Sequence, residues 1–388
     1  MSAPGPDVET ASDGTRADGT PAGAAAAALH DRLRDAGARI EPLDGRPTVV
    51  SFGEPEEEHR ALREAAALLD DTDRRLLEVR GADAREHFGG LVTNHVEALR
   101  PGQGLYAFML TPKGRPVAEM RVVAREPEGG EEVLWVDMPA ACSASAREHL
   151  GRYLPPRLAR FEPLDRHVRL GVAGPRADEA LEALGAEQLP TDPLAAGELR
   201  HPSLDAAAVV VRREDAVGGG HDLYLAAGDL AAAWDALADG VARCSGRPAG
   251  HRAREVWRVE RGIPVYGREI TPDVLPQETG QTDRAVDFEK GCYTGQEVVA
   301  RIHYRGKVNR HLRGIRFAEG LEALPAAGDE LFDGERARGT VTTALLSPRM
   351  GPIALGFVRR EVEPGDHLAL EPGGDPTCRV EELPFRDR

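Results

Sequence analysis

The chain has 388 residues, a formal net charge of −16, 41% hydrophobic and 29% charged residues. This composition suits a soluble chain of two or three domains; the acidic balance opposes direct DNA binding and adhesion to anionic membranes, and no apolar run is long enough to span a bilayer. Cys142, Cys244, Cys292 and Cys378 lie far apart with no C-x-x-C pair, which excludes a visible disulfide framework or local zinc or iron–sulfur motif and points to a reducing cytoplasm.

In chain order, the first 45 residues read as a Gly/Pro/Ser/Thr-rich disordered tail with one Ala-rich helix. Lacking a basic start followed by an apolar segment, this stretch is not a secretory signal. "RPTVVSF" then reads as a strand, and "EPEEEHRALREAAALLD" as a helix with acids in its first turn. "RRLLEVRGADAREHFGGLV" reads as strand, turn and helix with Asp83 as N-cap. "LYAFMLTPKGRPVAEMRVVAR" is a hairpin turning at Lys113–Gly114, "EEVLWVDM" a third strand, and "SASAREHLGRYL" a helix. From about 166 to 246, strand, helix, strand, strand and helix make a small α+β unit of split-βαβ character. Its "GGG" at 218–220 reads as a hairpin turn. Beyond about 307, short strands with Gly and Pro turns point to an antiparallel barrel.

The stretch "EKGCYTGQEVVARIHYRG" at 289–306 carries the densest chemistry. Thr294 and Glu297 have capping-box spacing, which predicts a helix from Gly295, with Arg301 four residues after Glu297 as its partner. Cys292 would then precede a helix N-terminus beside Lys290, and both the dipole and the ammonium favour a thiolate. Two readings stand for Cys292: a working thiol, or small apolar filler in a Gly-flanked turn. Only three lysines occur, Lys113, Lys290 and Lys307, against an arginine-rich background. Between Arg301 and Arg316 no acid interrupts a basic block, which reads as a solvated strand and turn or as a rim for an anionic small molecule.

"KGCYTGQE" at 290–297 resembles the signature of the YgfZ-type folate-binding proteins, relatives of the glycine-cleavage T protein, an aminomethyltransferase. "RVERGIPVYGREI", "LPQET", "VRGADAREHFGGLVTN", "LYAFMLTPKGRPVAEMRV" and "IALGFVRRE" resemble other parts of that family, from about residue 46 to the end. The resemblance implies an α+β fold: a three-lobed ring around a cavity for tetrahydrofolate or a derivative, with a C-terminal antiparallel β-barrel. The lobes implied are 46–160 with 247–303, then 161–246, then 304–388.

For a folate, the site should offer a carboxylate to the pterin, apolar walls and basic groups toward the glutamate tail. Asp222 sits where the T-protein pattern carries an acid after a glycine turn and is the pterin candidate, with an ordinary hairpin acid as the alternative. Tyr224, Trp257 and Tyr293 are candidate walls or core. Arg258, Arg301 and Arg305 are candidate tail partners, though Arg258 and Glu260 would equally serve as pairs to neighbouring strands. Gly295, Gln296 and Glu297 complete the motif's contribution.

The T protein's transfer chemistry uses an aspartate on the N-terminal hairpin, where this chain offers Glu119. That departure and the Cys292/Lys290 motif favour a folate-binding accessory protein of iron–sulfur cluster assembly or repair rather than a classical aminomethyltransferase, leaving open whether it is an enzyme, with iron–sulfur assembly or client proteins as partners and indirect effects on tRNA modification. The alternative is a tetrahydrofolate-dependent aminomethyltransferase with Glu119 as acid or base.

Overall fold

The computed structural model describes residues 19–214 and 219–386. The disordered-tail expectation for 1–18 and Gly218 of the "GGG" turn lie outside the described residues.

Three large sheets organise the described residues, beside a two-stranded antiparallel ladder of Arg39–Leu43 and Arg46–Ser51. The first is antiparallel, in the spatial order Gly104–Leu110, Pro116–Glu128, Glu131–Pro139, Arg74–Gly81, Arg160–Pro163. Its outer face buries Phe88 and Leu150 from the helices Ala84–Gly89 and Ala140–Tyr153. The second runs Ala196–Leu199, Ala208–Arg212, Gly220–Ala226, His167–Ala173, Ala67–Asp70, Arg247–Ala249, with the last pair parallel. Helices Pro21–Asp35, Ala177–Glu182 and Leu230–Arg243 cover one face of it, burying Leu29, Leu181 and Trp234. A third core joins the two sheets, with Tyr106, Phe108 and Val123 from the first against Val209, Val211 and Tyr224 from the second.

The third sheet is antiparallel, in the order Glu330–Asp333, Arg336–Ser347, Gly351–Arg359, Arg310–Phe317, Cys378–Glu381, His367–Leu368. Phe332 and Ala369 exchange backbone hydrogen bonds of 2.9 and 2.8 Å across its two ends, so the sheet rolls nearly closed. The expected α+β class and C-terminal barrel are therefore present. Among the described residues, no helix is long and apolar enough to cross a membrane.

Three local expectations are corrected. The helix at 54–70 stops at Glu64, and Ala67–Asp70 is a strand. Ala67, Leu68 and Leu69 are buried between the strands His167–Ala173 and Arg247–Ala249. A short apolar run buried on both faces favours a central strand over another helical turn. Asp83 makes no side-chain capping bond; the backbone N–H of Arg85 donates instead to Glu132 at 2.9 Å.

The Thr294–Glu297 capping box also fails to form. The cap of the helix Gln296–Arg305 is Gly295 at φ 86°, a left-handed conformation that suits glycine. A Cβ there would lie 2.7 Å from the Thr111 carbonyl oxygen, because this turn packs on the tip of the Gly104–Glu128 hairpin. Thr294 donates its N–H to the Gly90 carbonyl, and Glu297 turns outward to Arg301 at 2.5 Å.

Candidate functional site

A cavity of about 430 Å³ opens between the first two sheets and the helix His251–Glu260. Glu119, Arg121, Arg169, Arg254 and Trp257 are among its lining residues. A more open groove of about 670 Å³ runs along the third sheet beside Arg316, His367 and Arg379; it contains none of the folate-site candidates, only Arg316 from the end of the basic block. Buried charge converges on the smaller cavity, which makes it the candidate site.

The floor is a network of three aspartates and five arginines. Asp71 accepts from Arg169 at 2.9 Å and Arg254 at 2.5 Å, with Arg213 at 3.4 Å. Asp137 accepts from Arg74 at 2.6 Å, from Arg169, and from the Tyr224 hydroxyl at 3.0 Å. Asp222 accepts from Arg121 and, at 3.0 Å, from Arg213. Gly171 makes room for the crossing, since a Cβ there would meet Asp71 Oδ2 at 2.8 Å and Arg213 Nη1 at 2.9 Å. Burial would raise the aspartate pKa values, but the adjoining guanidinium groups outweigh it: Asp71 is held well below the usual range, and Asp137 falls to about 2. With two more cations than anions, the cluster biases the cavity toward a ligand carrying negative charge or acceptor groups.

Glu119 stands on the strand Pro116–Glu128, opposite Phe108 in the hairpin register. It is 8% exposed and reaches the cavity wall. The Tyr106 hydroxyl donates to Oε2, and the Tyr266 backbone N–H donates to Oε1 at 2.8 Å. A buried carboxylate held through both oxygens keeps spare lone pairs for a ligand in a fixed direction.

The sequence-derived candidates divide into four groups. Glu119, Trp257 and Arg258 line the cavity. Arg258 is already engaged by Glu255, at 2.8 and 3.0 Å, and by Glu269 at 3.1 Å. Asp222 and Tyr224 are buried behind the wall, tied into the arginine network. Glu260 accepts from Ser347 at 2.6 Å and contacts His59 at 3.1 Å, joining the helix to the third sheet.

The KGCY segment lies elsewhere. Lys290, Cys292, Tyr293, Gly295, Gln296, Glu297, Arg301 and Arg305 are all absent from the cavity lining. Cys292 is exposed. The Lys290 ammonium is buried and donates to the carbonyls of Gly89 (2.6 Å), Val92 (2.8 Å) and Asn94 (2.9 Å). Its three donors are thereby used on backbone rather than on a thiolate. Burial lowers its pKa to about 8 against the pull of Glu97 and Asp287. Tyr293 packs in the core shared by the two sheets.

Sequence reasoning missed Arg121, Arg169, Asp137, Asp71, Tyr106 and Tyr266. A signal was available for three of them: single charges inside apolar strands, in "EMRVV", "HVRLGVA" and "LWVDM". A charge at an inward position of such a strand must find a buried partner.

Residues 29–290 match the family described as the GCVT N-terminal domain. The chain belongs to this family. An aminomethyltransferase of Symbiobacterium thermophilum is 30% identical over 378 residues, covering 92% of this chain and 95% of that relative. An aminomethyltransferase of Saccharopolyspora erythraea is 29% identical over 93% of this chain and 97% of its own length. The glycine cleavage system aminomethyltransferase T from Bartonella henselae has the same fold, with a TM-score of 0.80 at 23% identity over 92% of this chain and 97% of that one.

GCVT membership with aminomethyltransferases matching along nearly the full chain overturns the YgfZ-type assignment. It also overturns the accessory role in iron–sulfur cluster assembly or repair, the effects on tRNA modification and the expectation that the protein is not a classical aminomethyltransferase. The motif that carried that assignment lies away from the cavity, with Lys290 held on backbone carbonyls and Cys292 exposed, whereas Glu119 of the alternative reading lines it.

Proposed function

We propose that this GCVT-family protein is a tetrahydrofolate-dependent aminomethyltransferase acting in the cytoplasm, with Glu119 as the catalytic carboxylate. The observation that carries this reading is the placement of Glu119, buried yet facing the cavity, with both oxygens fixed by donors. A reduced folate fits the surrounding residues. The volume falls within the range of small-molecule sites, about 300–1,000 Å³. The Trp257 indole N–H is buried with no hydrogen-bond partner among the described residues, so it suits a ligand acceptor. Arg46 lines the same cavity without an ion-pair partner among the described residues and suits a carboxylate.

When bound, the folate supplies the nitrogen that accepts the one-carbon unit. Glu119 takes a proton at a carboxylate oxygen and opposes positive charge developing beside it. The arginine network fixes the wall from which Arg121 and Glu119 project, two residues apart on one strand face. Trp257 and Arg258 serve as ligand contacts or supports. The lobe division at 46–160 with 247–303, 161–246 and 304–388 stays part of this proposal, with the strand Ala67–Asp70 paired into the second sheet.

The test is a transfer assay with purified protein, an aminomethyl donor and tetrahydrofolate, beside calorimetric titration of the folate. Glu119→Gln should lower turnover by about 10²–10⁴-fold while folate binding persists. Absence of both transfer and folate binding in the wild type would refute the reading.

A further inference from the structure

Tyr106 lies on the strand Gly104–Leu110, adjacent to the strand of Glu119, and is 4% exposed. A phenol at that depth requires a hydrogen-bond partner. It donates to Glu119 Oε2. The Arg284 guanidinium lies over the ring with its central carbon 3.9 Å from the centroid. Arg284 is itself fixed by Gln281 at 2.6 Å and Glu214 at 2.8 Å. A cation on the π face draws electron density from the ring and strengthens the hydroxyl as a donor.

The array therefore runs in one direction, from Glu214 beyond the second sheet, through Arg284 and Tyr106, to the carboxylate in the cavity. Other groups also face Glu119. The Tyr266 backbone holds Oε1, Arg121 stands two residues along the same strand, and Cys142 approaches from the helix Ala140–Tyr153. The Cys142 thiol is pushed up to about 12 by burial and then by the negative charge of Glu119, so it stays neutral. Burial, with the Glu119 charge next, raises the Tyr106 pKa well above its usual value against the opposing pull of Arg284 and Arg121. Tyr106 thus remains a protonated donor throughout the working range.

We propose that Tyr106, backed by Arg284, is a positioning residue for Glu119, fixing one carboxylate oxygen so that the remaining lone pairs address the ligand. This rests on the transfer function assigned above. The carboxylate without its phenol partner loses a charge-assisted hydrogen bond and gains rotational freedom.

The test compares wild type, Tyr106→Phe, Arg284→Gln and Arg284→Lys in transfer kinetics, with folate affinity measured separately by calorimetry. Tyr106→Phe should lower kcat by about 10- to 100-fold, the size of one hydrogen bond to a charged group. Folate Kd should stay within about twofold, because a positioning contact acts on turnover rather than on uniform binding. Arg284→Gln should act in the same direction with a smaller effect, and Arg284→Lys should recover part of it. If Tyr106→Phe fails to fold, Arg284→Gln against Arg284→Lys decides the matter on the same readouts. Variants with wild-type kcat would overturn the positioning role while leaving the transferase reading intact. A loss confined to folate affinity would also overturn it. A wild type that binds folate but transfers nothing would remove the transferase reading and this inference with it.

Discussion

Asp137→Asn is an isosteric change that removes one charge from the centre of the arginine network. Asp137 is 2% exposed, receives hydrogen bonds from Arg74, Arg169 and Tyr224, and has its pKa brought from an ordinary 3.8 to about 2. A carboxylate with a depressed folded-state pKa contributes stability that is complete above its unfolded value and is lost as pH falls through the folded one. The interval from 3.8 to about 2, at about 1.4 kcal/mol per pH unit, corresponds to about 2–3 kcal/mol at neutral pH. About 1 kcal/mol of it should be gone by pH 3. The assay is urea denaturation of wild type and Asp137→Asn from pH 7 to pH 3. The stability gap between them should be widest at neutral pH and narrow steadily below pH 4. A gap that is constant over this range would show that Asp137 is not held ionised by its arginines, and the electrostatic account of the cavity floor would fail.

Lys290→Met should destabilise the fold by about 2–4 kcal/mol, because the carbonyls of Gly89, Val92 and Asn94 lose a charged donor together; thermal or urea melts check this. In native protein a thiol-specific reagent should label Cys292 quickly, since it is exposed while Cys142, Cys244 and Cys378 are buried. Mass spectrometry of the labelled peptides should find that modification first, and labelling spread evenly over all four thiols would contradict it. Gly295→Ala should cost about 1–3 kcal/mol in the same melts, because it combines a left-handed backbone with a Cβ contact on Thr111.

The three sheets were legible because their strands alternate or run apolar between Gly and Pro turns, and Glu119 was legible as the single acid inside its hairpin. The network was not, because its members meet only through strand register. Tyr224 stands opposite Arg169 and Arg121 opposite Asp137 across neighbouring strands, and the two sheets then bring these pairs together. No spacing along one strand reveals such a meeting. The strand Ala67–Asp70 was hidden for the same reason: its alanines and leucines suit a helix, and only its neighbours choose otherwise. At Lys290 composition drew attention to the right residue, but whether an ammonium meets a thiolate or three carbonyls depends on a loop almost 200 positions away in sequence.

The helix His251–Glu260 has a consequence for how the molecule is divided. Arg254 near its start donates to Asp71 in the cavity floor, Arg258 reaches Thr343 of the barrel at 3.2 Å, and Glu260 at its end takes the Ser347 hydroxyl at 2.6 Å. Glu269, just beyond, accepts from Thr342 at 2.9 Å and Thr343 at 2.6 Å. One rod of ten residues is thus riveted at one end to the chemistry and at the other to the barrel. Cutting the barrel away would strand Glu260 and Glu269 without their hydroxyl donors and loosen the rod that braces the reaction chamber. The C-terminal barrel is a buttress of the cavity-bearing half, not a detachable accessory.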